Sequence, residues 1–400
     1  MTTGAGQPAT PGFSRRSALI FCVALAVYLV STGFRDTVYN NHVLLAYAWL
    51  HGHIWIDGPA PGIDALPFQG HYYIIEGPFP AVMLLPFVAI FGLQTNQVIL
   101  AAVCAAVAVA ASDVVFARME IESRLRTWLV AFLGFGTVLW WCEAFAAVWM
   151  LAHVVAVMFA MLALAEGYGK RRPILMAALL SCMTLTRFPM VLAIVPLSYW
   201  LFAGDDIREP RESRAAWSFV LALVPLFVLY VAYNYARWHT FSDIGYTLWY
   251  HTDQVGEPSG LPFKLHYLPF NLYSFVFYPP AFMDDFPWLK PTSFGVALTF
   301  TSPALAIAFL TSPRTREGLV FWSATVLTAL PSLFYYVNGF EQFGMRHSLD
   351  FTPFLMPLVA RGLQRYPTAL SFGLIAFSIM ANAYGVWYSW AFHGFTVVPR

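Results

Sequence analysis

The chain has 400 residues, 59% of them hydrophobic and only 11% charged, where a soluble domain carries about 25% charged residues. Mean hydropathy is +0.63. These figures exclude a water-soluble globular enzyme, a disordered chain and a basic nucleic-acid binder. They leave a polytopic membrane protein, with apolar sequence for on the order of ten helices at roughly 20 residues each.

In chain order, residues 1–16 read as a disordered cytoplasmic tail ending in Arg15 and Arg16, and 17–400 as a single transmembrane domain. The first apolar run, 17–34, is followed by no small-residue cleavage site, so it reads as a membrane helix rather than a signal peptide. Further apolar runs cover 79–93, 98–117, 128–142, 145–165, 174–187, 189–203, 217–236, 293–311, 318–337, 350–361 and 368–390. All four cysteines fall inside such runs, and no disulfide is expected.

Lys and Arg concentrate on the cytoplasmic side of membrane proteins. Six basic clusters stand out: Arg15/Arg16, Arg118/Arg124/Arg126, Lys170/Arg171/Arg172, Arg208/Arg211/Arg214, Arg314/Arg316 and Arg361/Arg365. If all six share the cytoplasmic side, neighbouring clusters are separated by an even number of crossings. Three runs lie between Arg16 and Arg118. The run 79–93 is short and proline-rich, so it is taken as a juxtamembrane helix inside a long outer loop, roughly 35–97. The expectation is an all-α protein with eleven transmembrane helices, its N-terminus inside and its C-terminus outside. The ten histidines and most carboxylates away from the clusters then fall on or near the outer face.

The first outer loop opens Arg35-Asp36-Thr37-Val38-Tyr39-Asn40-Asn41-His42. A carboxylate held just above a helix end in low-dielectric surroundings is a candidate general base. Val43–Leu50 reads as an interfacial helix ending at Gly52, and Asp57-Gly58 and Pro61-Gly62 as turns. His51, His53 and His71 have too weak a spacing for a metal site, so no metal is predicted, although a divalent ion is left open. Arg187 lies between two short apolar runs, and an arginine at such depth needs either a phosphate or a carboxylate such as Glu143. Arg346 stands at a helix mouth, where it suits an anionic head group or a pairing with Glu341 or Asp350. Trp140, Trp141 and Trp149 flank Glu143 and read as an aromatic belt.

Several short motifs resemble the GT-C superfamily of membrane glycosyltransferases, especially its protein-mannosyltransferase-like and aminoarabinose-transferase-like bacterial branches. They are the post-helix Asp36 with Leu44-Leu45-Ala46, and Gln69-Gly70-His71-Tyr72-Tyr73 with Pro78-Phe79-Pro80-Ala81. Further along come Leu185-Thr186-Arg187-Phe188-Pro189 and Tyr233-Asn234 with Arg237-Trp238 and Gly245-Tyr246. The last is Gly344-Met345-Arg346-His347 with Asp350 and Pro353. The resemblance implies transfer of a sugar from a polyprenyl-phosphate donor to a glycan, lipid or protein acceptor on the outer face of the plasma membrane. It implies Asp36 as base and Arg187 and Arg346, with Arg237, on the donor phosphate. Tyr39, Asn41, His42, His71, Tyr72, His153, Asn234, Tyr246 and His347 are the candidate substrate-lining residues. Thr37, Tyr47 and His239 depart from the family pattern, which keeps Asp64 and Glu143 as alternative bases. A transporter or lipid flippase, and a catalytically inactive subunit of this kind, are the competing readings.

Overall fold

The computed structural model of the protein describes residues 12–58, 63–202, 213–252 and 260–392. Helix α1 (Arg15–Thr32) is capped by the Ser14 hydroxyl and closed by Gly33 in the left-handed region. Both Arg15 and Arg16 are therefore in its first turn rather than in a tail. A connecting segment follows, carrying α2 (Asn41–Leu50), a β1–β2 hairpin (Leu66–Phe68, His71–Tyr73) and α3 (Phe79–Phe91). The central pair is α4 (Gln97–Arg118) and α7 (Val148–Gly167), joined through α5 (Ser123–Phe135) and α6 (Leu139–Phe145). Eight alanines in α4, seven of them between 101 and 111, remove side-chain bulk, so neighbouring backbones approach closely. The apolar windows of α4 and α7 are 78% and 83% buried inside the protein.

Beyond this core, α8 (Pro173–Thr186) and α9 (Ile194–Phe202) are separated by a 3-10 segment, and α10 (Ser213–Trp238) runs along the outside. Only 6% of the α10 window is buried, which suits a helix facing lipid. Short helices α11 (Gly245–Thr252) and α12 (Leu268–Val276) precede a β3–β4 hairpin (Ala281–Phe282, Leu289–Lys290). Then come α13 (Leu298–Thr301) with a 3-10 extension, α14 (Arg316–Phe334), α15 (Thr352–Arg365) and α16 (Ala369–Phe392).

The sparse charges fix how these helices meet. The Arg16 guanidinium donates to Asp113 and to the Ser123 hydroxyl, at 2.9 and 2.8 Å. Arg118 donates to the Ala165 carbonyl beside the next cluster. Arg361 bonds the Met119 carbonyl at 3.0 Å and Glu317 at 2.9 Å. These contacts bring five of the six basic clusters to one end of the helical body. In the remaining cluster, Arg208 and Arg211 lie outside the described residues. At the opposite end, Asn96 donates to the Arg35 carbonyl at 3.1 Å. Residues 36–95 thus leave and return at the same end. Helix α3 has 13 residues, about 20 Å of helix, and is shorter than a bilayer core of about 30 Å.

The expected count of eleven spans is not reproduced. Among the described residues six helices are long and apolar enough to cross a membrane (α1, α4, α7, α10, α14 and α16). A seventh arises if α5 and α6, bent by 43°, form one span. The runs 174–187, 189–203, 293–311 and 350–361 form helices that are too short or are wound as 3-10 turns. Proline explains most of this: Pro189, Pro303 and Pro353 each open a new turn, where the missing N–H cannot continue the preceding helix. Arg316 holds the Trp200 carbonyl at 2.9 Å. The pair α8–α9 therefore returns to the basic end and breaks at Arg187.

Candidate functional site

The helix ends away from the basic clusters surround a cavity of about 810 Å³. Its walls come from the segment after α1, the α6–α7 junction, the end of α8, α11 and the far ends of α14 and α16. The cavity is thus an outcome of topology. Most wall residues sit near a helix end or in a connection.

The segment after α1 is held first. The Gln97 amide donates to the carbonyls of Tyr39 and Ala146 at 3.1 and 2.7 Å, and the Val148 N–H also donates to Tyr39 at 3.0 Å. These bonds clamp the α6–α7 junction to the first connection and set the Tyr39 ring 5.0 Å from Trp149. The β1–β2 hairpin turns at Gln69-Gly70, both at positive φ, and delivers Ile75-Glu76-Gly77 to the cavity wall. Gly77 is obligatory for this approach. A Cβ there would stand 2.3 Å from the Thr186 carbonyl oxygen.

Helix α8 stops at Arg187 because Phe188-Pro189 cannot extend it. The freed arginine forms a bidentate pair with Asp350, Nε to Oδ1 at 3.0 Å and Nη2 to Oδ2 at 2.7 Å. His153 Nδ1 lies 2.9 Å from Asp350 Oδ1, and His347 Nδ1 lies 3.3 Å from Arg187 Nη2. Burial disfavours the Asp350 charge, but Arg187 and His153 outweigh it and hold the carboxyl well below its usual range. Arg346 donates to Gln342 Oε1 at 3.1 Å and the Phe340 carbonyl at 3.2 Å, and its guanidinium lies 5.8 Å from the Trp149 ring centre. Its buried Nε has no hydrogen-bond partner among the described residues. Burial and then the neighbouring Arg187 charge lower the Arg346 pKa to about 10, still fully cationic at neutral pH.

Two carboxylates face these arginines. Glu76 is buried, and its pKa is raised to about 8 by burial first and the Asp64 charge second, against Arg237 and Arg187. Asp64 lines the same cavity, its backbone carbonyl held by the Asn41 side chain at 2.9 Å. At neutral pH Glu76 therefore keeps its proton.

Of the residues singled out from sequence, Tyr39, Asp64, His153, Arg187, Tyr246, Arg346 and His347 meet at this cavity. Asp36 does not line it. Its carboxylate accepts from the Thr37 N–H at 2.8 Å, while Arg35 stacks on Trp390 at 4.4 Å. Glu143 is fully buried in α6, apart from the cavity, and neither carboxylate oxygen has a hydrogen-bond partner among the described residues. It is not the partner of Arg187; that role belongs to Asp350. Nor does Asp350 pair with Arg346. Arg237 is buried away from the cavity, bonded to the Ile74 carbonyl and to Asn234, 3.5 Å from Asp243 and stacked on Tyr233 and Trp238. Asn41, His42, His71, Tyr72 and Asn234 also lie outside the lining, with the His71 ring tilted against Trp55 at 4.2 Å between centres.

Sequence reasoning passed over Glu76 and Gln342, and gave Asp350 to Arg346 rather than to Arg187. Glu76 had a readable signal as a lone carboxylate after Ile74-Ile75, next to a glycine. Among the described residues no group of three His, Cys, Asp or Glu side chains could hold a metal ion. No protein family, curated protein or solved structure matches the chain.

Proposed function

We propose that the protein is a membrane glycosyltransferase that moves a sugar from a polyprenyl-phosphate donor to a hydroxyl acceptor on the extracytoplasmic face of the cell membrane. The observation that carries this reading is the convergence of Arg187, Arg346, Asp64 and Glu76 on one cavity at the end of the helical body away from the basic clusters. The positive-inside bias makes that end extracytoplasmic.

The buried Nε of Arg346, with the Nη1 of Arg187 that the Asp350 pair does not engage, supplies charged donors for a phosphate without a metal. Asp64, rather than Asp36, is the base on this reading. The acceptor oxygen forms a bond to the anomeric carbon as the bond from that carbon to the phosphate oxygen breaks. The electron pair leaves with the polyprenyl phosphate, and the acceptor proton passes to the Asp64 carboxylate. Glu76 stays protonated and removes one negative charge from the donor's surroundings. Trp149 and Tyr246 offer aromatic faces to a sugar ring.

The test is transfer from a lipid-linked radiolabelled sugar pool by purified protein in nanodiscs. Wild type is expected to transfer label, Asp36→Asn to retain activity, and Asp64→Asn to lose at least about a hundredfold, the range for loss of a general base. Wild-type turnover in Asp64→Asn would refute the assignment, and absence of transfer from every sugar pool would refute the activity.

A further inference from the structure

The connection between α12 and α13 carries a dense patch of outward-facing aromatic side chains on the β3–β4 hairpin. Phe282 is 83% exposed, Phe286 59% and Trp288 58%. In water such a patch is costly, because each ring removed from solvent is worth about 2 kcal/mol. The patch is not isolated. Phe286 contacts Trp387 and Phe392 on the last turns of α16, with ring centres 5.8 and 6.3 Å apart, and Tyr384 donates to the Leu289 carbonyl. The hairpin is thus fastened to the far end of a helix that is long and apolar enough to cross a bilayer.

The height of the patch follows from the helix. Helix α16 begins at Ala369, beside Arg361 and Arg365 at the basic end. Eighteen residues separate Ala369 from Trp387, so at 1.5 Å per residue the Trp387 ring stands about 27 Å along the axis. That is the thickness of the hydrocarbon core, about 30 Å, and the level at which Trp and aromatic belts sit among head groups. Asp284 and Asp285, both exposed at the tip of the hairpin, limit how deep it can go, since a carboxylate stays in water. Aromatic rings flanking two carboxylates suit the head-group layer and neither bulk water nor the acyl core.

We propose that the β3–β4 hairpin is a membrane-interface anchor, with Phe282, Phe286 and Trp288 lying in the outer head-group layer beside α16. Lys290 ends the hairpin, Pro291, Thr292 and Ser293 follow it directly, and all four line the cavity. One wall of the cavity is therefore tied to the lipid surface, whatever the cavity binds.

The test uses a nitroxide at Phe282→Cys in a Cys22→Ser, Cys182→Ser background, reconstituted in phosphatidylcholine–phosphatidylglycerol vesicles. The control label is at Ser242→Cys, an exposed polar position. The ratio of oxygen to nickel-chelate accessibility is expected to be several-fold higher at 282 than at 242. Equal ratios would mean the hairpin stands in water and would overturn the proposal. Low accessibility to both reagents would mean another chain covers the patch and would overturn it equally. A second readout needs no label: quenching of intrinsic fluorescence by lipids brominated near the head group is expected to fall in Trp288→Phe, and unchanged quenching would count against the anchor.

Discussion

Glu76 makes the folded protein sensitive to pH in a direction that can be worked out. Its carboxyl is pushed from an ordinary 4.5 to about 8 by burial and by Asp64. Between those two values the folded protein keeps a proton on Glu76 that the unfolded chain has released. Stability therefore falls as pH rises through this window, with the full contribution present below about 4.5. At 1.36 kcal/mol per pH unit, the loss between pH 5 and pH 8 is about 4 kcal/mol. Glu76→Gln replaces the protonated acid with a neutral side chain of similar shape, so it should leave the structure intact and remove this slope. The assay is denaturant unfolding of wild type and Glu76→Gln in the same detergent at pH 5, 6, 7 and 8. The two should be close at pH 5, and the variant should be the more stable by several kcal/mol at pH 8. Parallel pH dependences would refute the placement of Glu76 in a buried site beside Asp64.

Other outcomes follow from the same geometry. Asp64→Asn removes the like charge beside Glu76, so the upper end of the pH window should move down, read from the same unfolding series. Gly77→Ala drives a methyl into the Thr186 carbonyl and should cost about 1–3 kcal/mol or more. Gly373→Ala in α16, where nothing lies within 4 Å, should instead gain up to about 1 kcal/mol of helix propensity; thermal unfolding compares the two. Arg187→Gln and Asp350→Asn should each destabilise by about 3–5 kcal/mol, because each leaves a buried charge alone. The double variant should cost clearly less than the sum, and additivity in that cycle would deny the pair. Gln97→Ala removes two bonds to buried carbonyls and should cost about 1–3 kcal/mol, with increased hydrogen exchange at Val148, whose N–H shares the Tyr39 carbonyl.

Charge was the most legible feature of this sequence. Because few charges interrupt the apolar runs, the basic clusters mark helix ends, and the contacts of Arg16, Arg118 and Arg361 join several of those ends. The break at Arg187-Phe188-Pro189 was legible too, since proline stops a helix wherever it falls. The number of full spans was not. Hydropathy reports whether a residue tolerates lipid, and it does not report whether a proline-interrupted run winds into a helix long enough to cross. Which polar residues share the cavity also depended on the third dimension. Asp36 and Asp64 are equally plausible as loop carboxylates, and only the path through α2, fixed in part by Asn41 on the Asp64 carbonyl, brings Asp64 inward. Arg237 followed a different rule. Its own neighbours Tyr233, Asn234 and Trp238 hold it one helical turn along, a local arrangement that a motif comparison reads as a substrate site.

The central claim is that this cavity holds a lipid-linked sugar through Arg187 and Arg346. Native mass spectrometry of the protein, purified from its membrane in mild detergent, tests it most directly. The account predicts an adduct with the mass of a polyprenyl-phosphate sugar, retained by Asp64→Asn and lost in Arg346→Gln. An adduct that persists undiminished in Arg346→Gln, or phospholipid as the sole bound species in wild type, would contradict it.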